Sequence, residues 1–101
     1  MNIDQIKKIS KTKYLHSLAR LNLKEKYLSE LLVTIDGGTF SVTPQLIAFL
    51  SSTSDDSVIL IDIYENICKT DRITLLTLCH ERYNTVMNKW YLDNESINKQ
   101  R

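Results

Sequence analysis

No stretch of this 101-residue chain approaches the roughly 18 to 20 consecutive apolar residues that cross a bilayer, so a membrane partner is not expected. The N-terminal "MNIDQIKKISKTKYLHSLAR" is basic but has no uninterrupted apolar core, so it does not read as a secretory signal. Cys68 and Cys79 are the only cysteines, too few for a disulfide framework. Both are expected to be reduced and at least partly buried, which suits a cytoplasm. Without export, Asn94-Glu95-Ser96 is a chance match to the glycosylation sequon. Neither G-x-x-x-x-G-K-[ST] nor G-x-G-x-x-G occurs. Lysine and arginine are missing altogether from Tyr27 to Cys68.

What is present describes one domain with one core. Hydrophobic residues make up 43% and charged residues 25%, ordinary for a globular chain. The net charge of +1 gives no bulk attraction to nucleic acid or anionic lipid, but its distribution is uneven. Residues 7 to 26 hold Lys7, Lys8, Lys11, Lys13, Arg20, Lys24 and Lys26 against Glu25 alone, and the middle carries Glu30, Asp36, Asp55, Asp56, Asp62 and Glu65. A basic head, an acidic middle and a mixed tail read as solvated faces that attract one another within the fold or between subunits.

The segment 1–30 reads as helical and basic. Asn2, with Gln5 three residues on, opens a helix over 3–18 that bears Ile3, Ile6, Ile9, Tyr14, Leu15 and Leu18. Asn22, followed by Glu25, opens a second over 23–30 with Tyr27, Leu28 and Leu31 inward. From 31 to 70 the pattern is hairpin, helix, hairpin. "LLVTI" and "TFSV" flank Asp36-Gly37-Gly38, whose glycines would supply the positive φ of a tight turn. Thr43-Pro44 caps a short helix with Leu46, Ile47, Phe49 and Leu50 on its apolar side. "SVILIDI" is a continuous apolar strand, expected to be buried on both faces or central in its sheet, and "ICK" returns after the turn "YEN".

The segment 71–98 reads as one long helix capped by Asp71 or Thr70. Leu76, Cys79, Tyr83, Val86 and Trp90 recur at heptad spacing, widened by Ile73 and Met87. Leu75 and Leu78 form a second apolar edge, so the first turns are expected to be buried nearly all round. The later turns are expected to project past the domain. The fold class is therefore α+β: a small antiparallel sheet of two β-hairpins packed against the long C-terminal helix, with a short middle helix and N-terminal helices. Val33, Ile35, Phe40, Val42, Leu46, Phe49, Leu50, Ile59, Ile61, Leu76, Cys79 and Tyr83 are the expected core.

Sites for chemistry are thin. "IDGGT" resembles the first phosphate loop of the sugar-kinase and actin-like ATPases. That family needs a second loop, an adenosine site and two large lobes, and here no lysine is near to neutralise phosphate, so the segment reads as a turn. "HERY" imitates half of a zinc-protease helix, but position 84 is Asn rather than a second histidine. Cys79 and His80 are adjacent and diverge by about 100° on a helix, so they do not share an ion. Cys79 on an apolar seam reads as a packed thiol. An enzyme would need a pocket gathering His16, His80 or Asp36. No catalytic residue, metal, cofactor or small-molecule substrate is expected.

Two surfaces remain. Tyr83, Val86, Met87, Trp90 and Tyr91 would form an interface with a second copy or another protein, since aromatic side chains supply large rigid contacts. Lys7, Lys8, Lys11 and Lys13 give the second reading, a nonspecific grip on nucleic-acid phosphates. The blocks "DGGTFSVTPQLIAFL" and "VILIDIYENICKTDRITLL…RYNTVMNKWY" together resemble the small uncharacterised proteins of marine T4-like tailed phages. That resemblance covers about two-thirds of the chain and implies a viral accessory or assembly protein. It transfers no site residue.

Overall fold

The computed structural model describes residues 3–99, with the side chains of residues 4–10 outside the description. Element order is α1 (Ile3–Glu30), β1 (Leu32–Ile35), β2 (Gly38–Ser41), α2 (Pro44–Ser52), β3 (Ser57–Ile61), β4 (Ile67–Asp71) and α3 (Arg72–Lys99). The class is α+β. α1 and α3 are 28 residues each, about 42 Å at 1.5 Å per residue. They give the body extents of 65 × 24 × 19 Å. Its radius of gyration, 19.2 Å, well exceeds the ~13 Å of a compact 100-residue domain.

α3 is the spine. Its first half carries α2, β1 and β4, and its second half runs against α1. The two long helices are antiparallel. Arg20 bonds Asn98 near the end of α3, whereas Tyr27, seven residues later in α1, reaches back to Trp90 and Asp93. The part of α1 before about His16 therefore extends beyond Lys99, and every residue from Lys11 to Leu15 is exposed.

α1 is one helix where two were expected. Asn22 does not act as a cap because contacts to α3 lie on both sides of it, at Arg20 and at Tyr27, and hold the backbone helical through an exposed position. The expected cap Asn2 lies outside the described residues. Of the inward residues expected, Tyr27 and Leu31 are buried, but Leu28 is exposed, as are Ile3, Tyr14, Leu15 and Leu18.

Both hairpins form, as two separate two-stranded ladders rather than one sheet. In the first, Ile35 pairs with Gly38, which leaves a two-residue loop. Its positive φ angles belong to Asp36 (51°) and Gly37 (78°), the type I′ pattern. Gly38 is needed for a different reason. A Cβ there would lie 2.7 Å from the Cys68 sulfur and 2.8 Å from the Phe40 ring. Bare backbone at Gly38 lets the inner face of the second hairpin seat against the first. In that second hairpin, Ile61 pairs with Ile67, the Glu65 amide bonds the Asp62 carbonyl, and the Asp62 amide bonds the Asn66 carbonyl. Glu65 takes the left-handed position of this turn, with φ 65°.

The caps follow the sequence. The Thr43 hydroxyl accepts from the Leu46 amide at 3.1 Å and starts α2. Asp71, not Thr70, caps α3, taking the Thr74 amide at 3.0 Å and the Thr74 hydroxyl at 2.7 Å. Those two Thr74 donors, the hydroxyl foremost, hold the Asp71 carboxyl below the usual carboxylate range. Arg72 then gathers the neighbouring loop, its guanidinium bonding the carbonyls of Asp55 and Leu50 and its amide that of Asp56.

The core is Tyr27, Leu31, Val33, Phe40, Val42, Leu50, Val58, Cys68, Leu75, Cys79 and Val86, with Ile35, Leu46, Leu76 and Tyr83 partly buried against it. Three expected core residues face solvent: Phe49 (48% exposed), Ile59 (70%) and Ile61 (68%). β3 is not covered on both faces. It alternates, with Val58 and Leu60 inward and Ile59 and Ile61 outward, because its hairpin has α3 and the first hairpin on one side only. Ile73 is likewise exposed, so the start of α3 is not enclosed all round.

Two substitutions test this packing by chemical denaturation. Gly38→Ala should destabilise by about 1–3 kcal/mol, the range for overpacking; an unchanged midpoint would remove the seating role. Thr70, paired with Val58 and 1% exposed, has a hydroxyl with no hydrogen-bond partner. Thr70→Val should therefore stabilise, by about 1 kcal/mol.

Candidate interaction surface

Alternation in the second hairpin divides its residues cleanly. Val58, Cys68 and Thr70 are buried, and Leu60 is half-buried. The opposite face carries Ile59, Ile61 and Ile67, the last 76% exposed, with Lys69 across from Ile59. Ile63 and Tyr64 in the turn extend the same exposed apolar surface. Together these β-branched side chains leave a contiguous apolar face open to solvent, a feature uncommon at this size on a monomeric protein.

Asp62 positions that face. It is 6% exposed, and its carboxylate accepts amide protons from Tyr64 at 3.0 Å, Asn66 at 2.8 Å and Thr39 of the first hairpin at 3.1 Å. The Ile63 amide returns to the Thr39 carbonyl at 2.9 Å. The Asn66 amide foremost, with those of Thr39 and Tyr64, outweighs burial and holds the Asp62 carboxyl below its usual range. Beside it lies an open cleft of about 270 Å³ between the two hairpins and the start of α2, lined by Phe40, Thr43, Leu46, Leu60, Ile61 and Ile63 as well as Asp62. Asp62 is the only ionisable side chain in that lining, and its oxygens are already committed to amides. A second cleft of about 210 Å³ has Val33, Leu78 and Thr85 beside Glu81 and Arg82.

The residues singled out for chemistry do not converge. His16 is half-buried on α1, His80 is exposed on α3, and Asp36 is exposed in the first turn. None of them lines either cleft. Cys79 is fully buried, and burial pushes its thiol up, away from thiolate. Cys68 and Cys79 are both free and buried. Among the described residues no group of three or more His, Cys, Asp or Glu is placed to hold a metal ion, and no helix is long and apolar enough to cross a membrane.

The expected interface on α3 is largely occupied by the chain itself. Val86 is 2% exposed and belongs to the core, not to a free surface. Tyr83, Met87 and Trp90 are half-buried against that core. Trp90 stacks on Tyr27 with ring centroids 6.1 Å apart and planes 15° apart. The Tyr27 hydroxyl donates to Asp93, and that bond foremost raises the phenol's pKa. Tyr91, with Leu92 beside it, is exposed. The outer half of α3 does not project; α1 covers it. Of the basic residues, Lys11 and Lys13 are exposed on α1, and the side chains of Lys7 and Lys8 lie outside the described residues.

Sequence reasoning missed a second stripe on α1. Tyr14, Leu18, Leu21 and Leu28 are all exposed. With Glu25 they fall at spacings of 4, 3, 4 and 3. At 100° per residue this stripe lies about 180° round the helix from Ala19, Leu23 and Tyr27, which face α3. The heptad spacing was the available signal. It was hidden because a helix apolar on two opposite sides shows little net amphipathicity.

No protein-family model, curated protein or solved structure significantly matches the chain.

The pH dependence of Asp62 checks its role. Its folded pKa is depressed, so its contribution to stability is full at neutral pH. That contribution starts to fall near the ordinary aspartate value of about 3.9 and is lost as pH drops through the folded value. Urea midpoints of wild type and Asp62→Asn should differ most at neutral pH and converge in acid. A gap that stays constant with pH would show that the charge on Asp62 does not tie the hairpins.

Proposed function

We propose that this chain is a non-catalytic protein–protein interaction module that binds a second copy or another protein. The observation that supports it best is the outer face of the second hairpin, with Ile59, Ile61 and Ile67 each more than two-thirds exposed in one cross-strand cluster. Tyr91 and Leu92 on α3 and the outer stripe of α1 add apolar surface elsewhere. The resemblance to tailed-phage proteins fits an accessory or assembly part acting in a host cytoplasm.

A nucleic-acid role has one observation in its favour, the exposed Lys11 and Lys13 on α1. It requires binding to single- or double-stranded DNA or RNA that collapses as salt rises, and a flat titration at low salt would end it.

Ile61→Asp tests the main reading. The side chain is largely exposed and its fold contribution small, so the thermal midpoint should change little. Association should be lost, read both as solution mass and as the set of native-extract proteins retained on the immobilised chain. If wild type and variant have the same mass and retain the same proteins, the hairpin face is not the binding surface.

A further inference from the structure

The partner for the hairpin face can be narrowed by charge, an inference that rests on the interaction reading above. From Ile3 to Lys26 there are seven basic residues against Asp4 and Glu25, and from Leu31 to Arg72 there are six carboxylates against Lys69 and Arg72. From Ile73 to Lys99 the two signs balance, three against three. The fold converts this segregation in sequence into segregation in space. Asp55 and Asp56 are held at the N-terminal end of α3 by Arg72. Arg20 sits at the opposite end of α3, against Asn98, and Lys11 and Lys13 lie further out on the part of α1 beyond it. The molecule is a rod 65 Å long with a basic end and an acidic end.

Each end also carries one uncovered apolar face. The acidic end has the Ile59, Ile61 and Ile67 face of the hairpin, and α1 has the Tyr14, Leu18 and Leu21 stripe turned away from α3. Lys11 and Lys24 flank that stripe on opposite sides. The hairpin face carries one lysine, Lys69, and lies beside the exposed Asp55, Asp56, Glu65 and Asp71, so a helix with an apolar stripe and lysine flanks matches it in shape and in net charge, one sheet face being most simply covered by one helix.

We infer that the occupant of the hairpin face is the Tyr14, Leu18 and Leu21 stripe of α1 from a second copy, in a reciprocal antiparallel pair that lays each basic end over the other's acidic end. Reciprocity closes the assembly. Both copies use the same two surfaces, so a two-fold pair leaves neither surface over to recruit a third copy. Side-by-side antiparallel rods also place opposite charges together at both ends at once, whereas parallel rods would oppose like charges.

Sedimentation of the full chain with charge reversals tests the pairing. Wild type should run as a dimer that weakens with salt. Lys11→Glu with Lys13→Glu should raise the dissociation constant by about tenfold or more, and so should Asp55→Lys with Asp56→Lys, because each places like charges at both contacts. An equimolar mixture of the two altered chains should pair again, since each basic end then meets an acidic one. Leu18→Glu should abolish pairing in every combination.

A wild type that stays monomeric at high concentration overturns the second-copy partner. If Ile61→Asp still changes the proteins retained from extract, that result leaves the interaction reading standing. A dimer indifferent to both reversals, a mixture that fails to pair, or mass growing beyond two copies overturns the reciprocal arrangement.

Discussion

The Asp62 carboxylate is the constraint on which the hairpin end depends. An isolated two-stranded hairpin is marginal in water, and this chain has two of them with no shared ladder. Asp62 closes its own turn through the amides of Tyr64 and Asn66 and reaches across to Thr39, so one buried charge is satisfied only when both hairpins are in place. A charge removed from water costs far more than a lost contact unless it is hydrogen-bonded. The arrangement is therefore closer to a latch than to one bond among many. Gly38 makes it sterically feasible by letting Cys68 sit against bare backbone, and α3 supplies the surface on which both hairpins rest.

The other end of the molecule is organised by aromatic packing. Tyr27 meets Trp90 ring to ring and Asp93 through its hydroxyl, with the Lys26 ammonium 4.8 Å from the Tyr27 ring centroid. This cluster sits just before the chain leaves α1 for β1. It fixes where the long helix crosses α3 and hence how far its first turns reach beyond. α1 is held by one side only. The same 28 residues that close the core present a second apolar stripe outward.

Much of the local structure was legible because single residues dictate it. A tight turn at Asp36-Gly37-Gly38, the start of α2 at Thr43-Pro44 and the start of α3 at Asp71 or Thr70 could each be read from local chemistry, although the positive φ falls on Asp36 and Gly37 rather than on both glycines and the α3 cap on Asp71. Burial was legible only where periodicity was unambiguous. "SVILIDI" is apolar at every position but one in its first five after Ser57, so no alternation separates a strand covered on both sides from one covered on one side; the neighbours decide, and β3 has them on one side only. Phe49 failed for a related reason: α2 buries Leu50 and half-buries Leu46 and Ile47, and Phe49, about 100° round the helix from Leu50, is left outward. Asn22 carried a valid cap signal, and contacts more than sixty residues away in sequence overrode it. The interface residues on α3 were right as an apolar seam but wrong as a free one, because nothing local in the sequence says that α1 returns to cover Val86 and Trp90.

Could the chain cover its own exposed hairpin face? The apolar stripe that matches it lies on α1, but α1 is a continuous helix pinned at Tyr27 and Arg20. Its first turns run away from the hairpins, toward the far end of a 65 Å body. Bringing them back would require breaking the helix near residues held by α3 and giving up the Tyr27–Trp90 contact that closes the core. α2 is only nine residues long and already committed to α3 through Leu50. The outer half of α3 is committed to α1 through Trp90 and Asn98. Every described helix long enough to cover Ile59, Ile61 and Ile67 is thus held away from them, so among the described residues nothing closes that face.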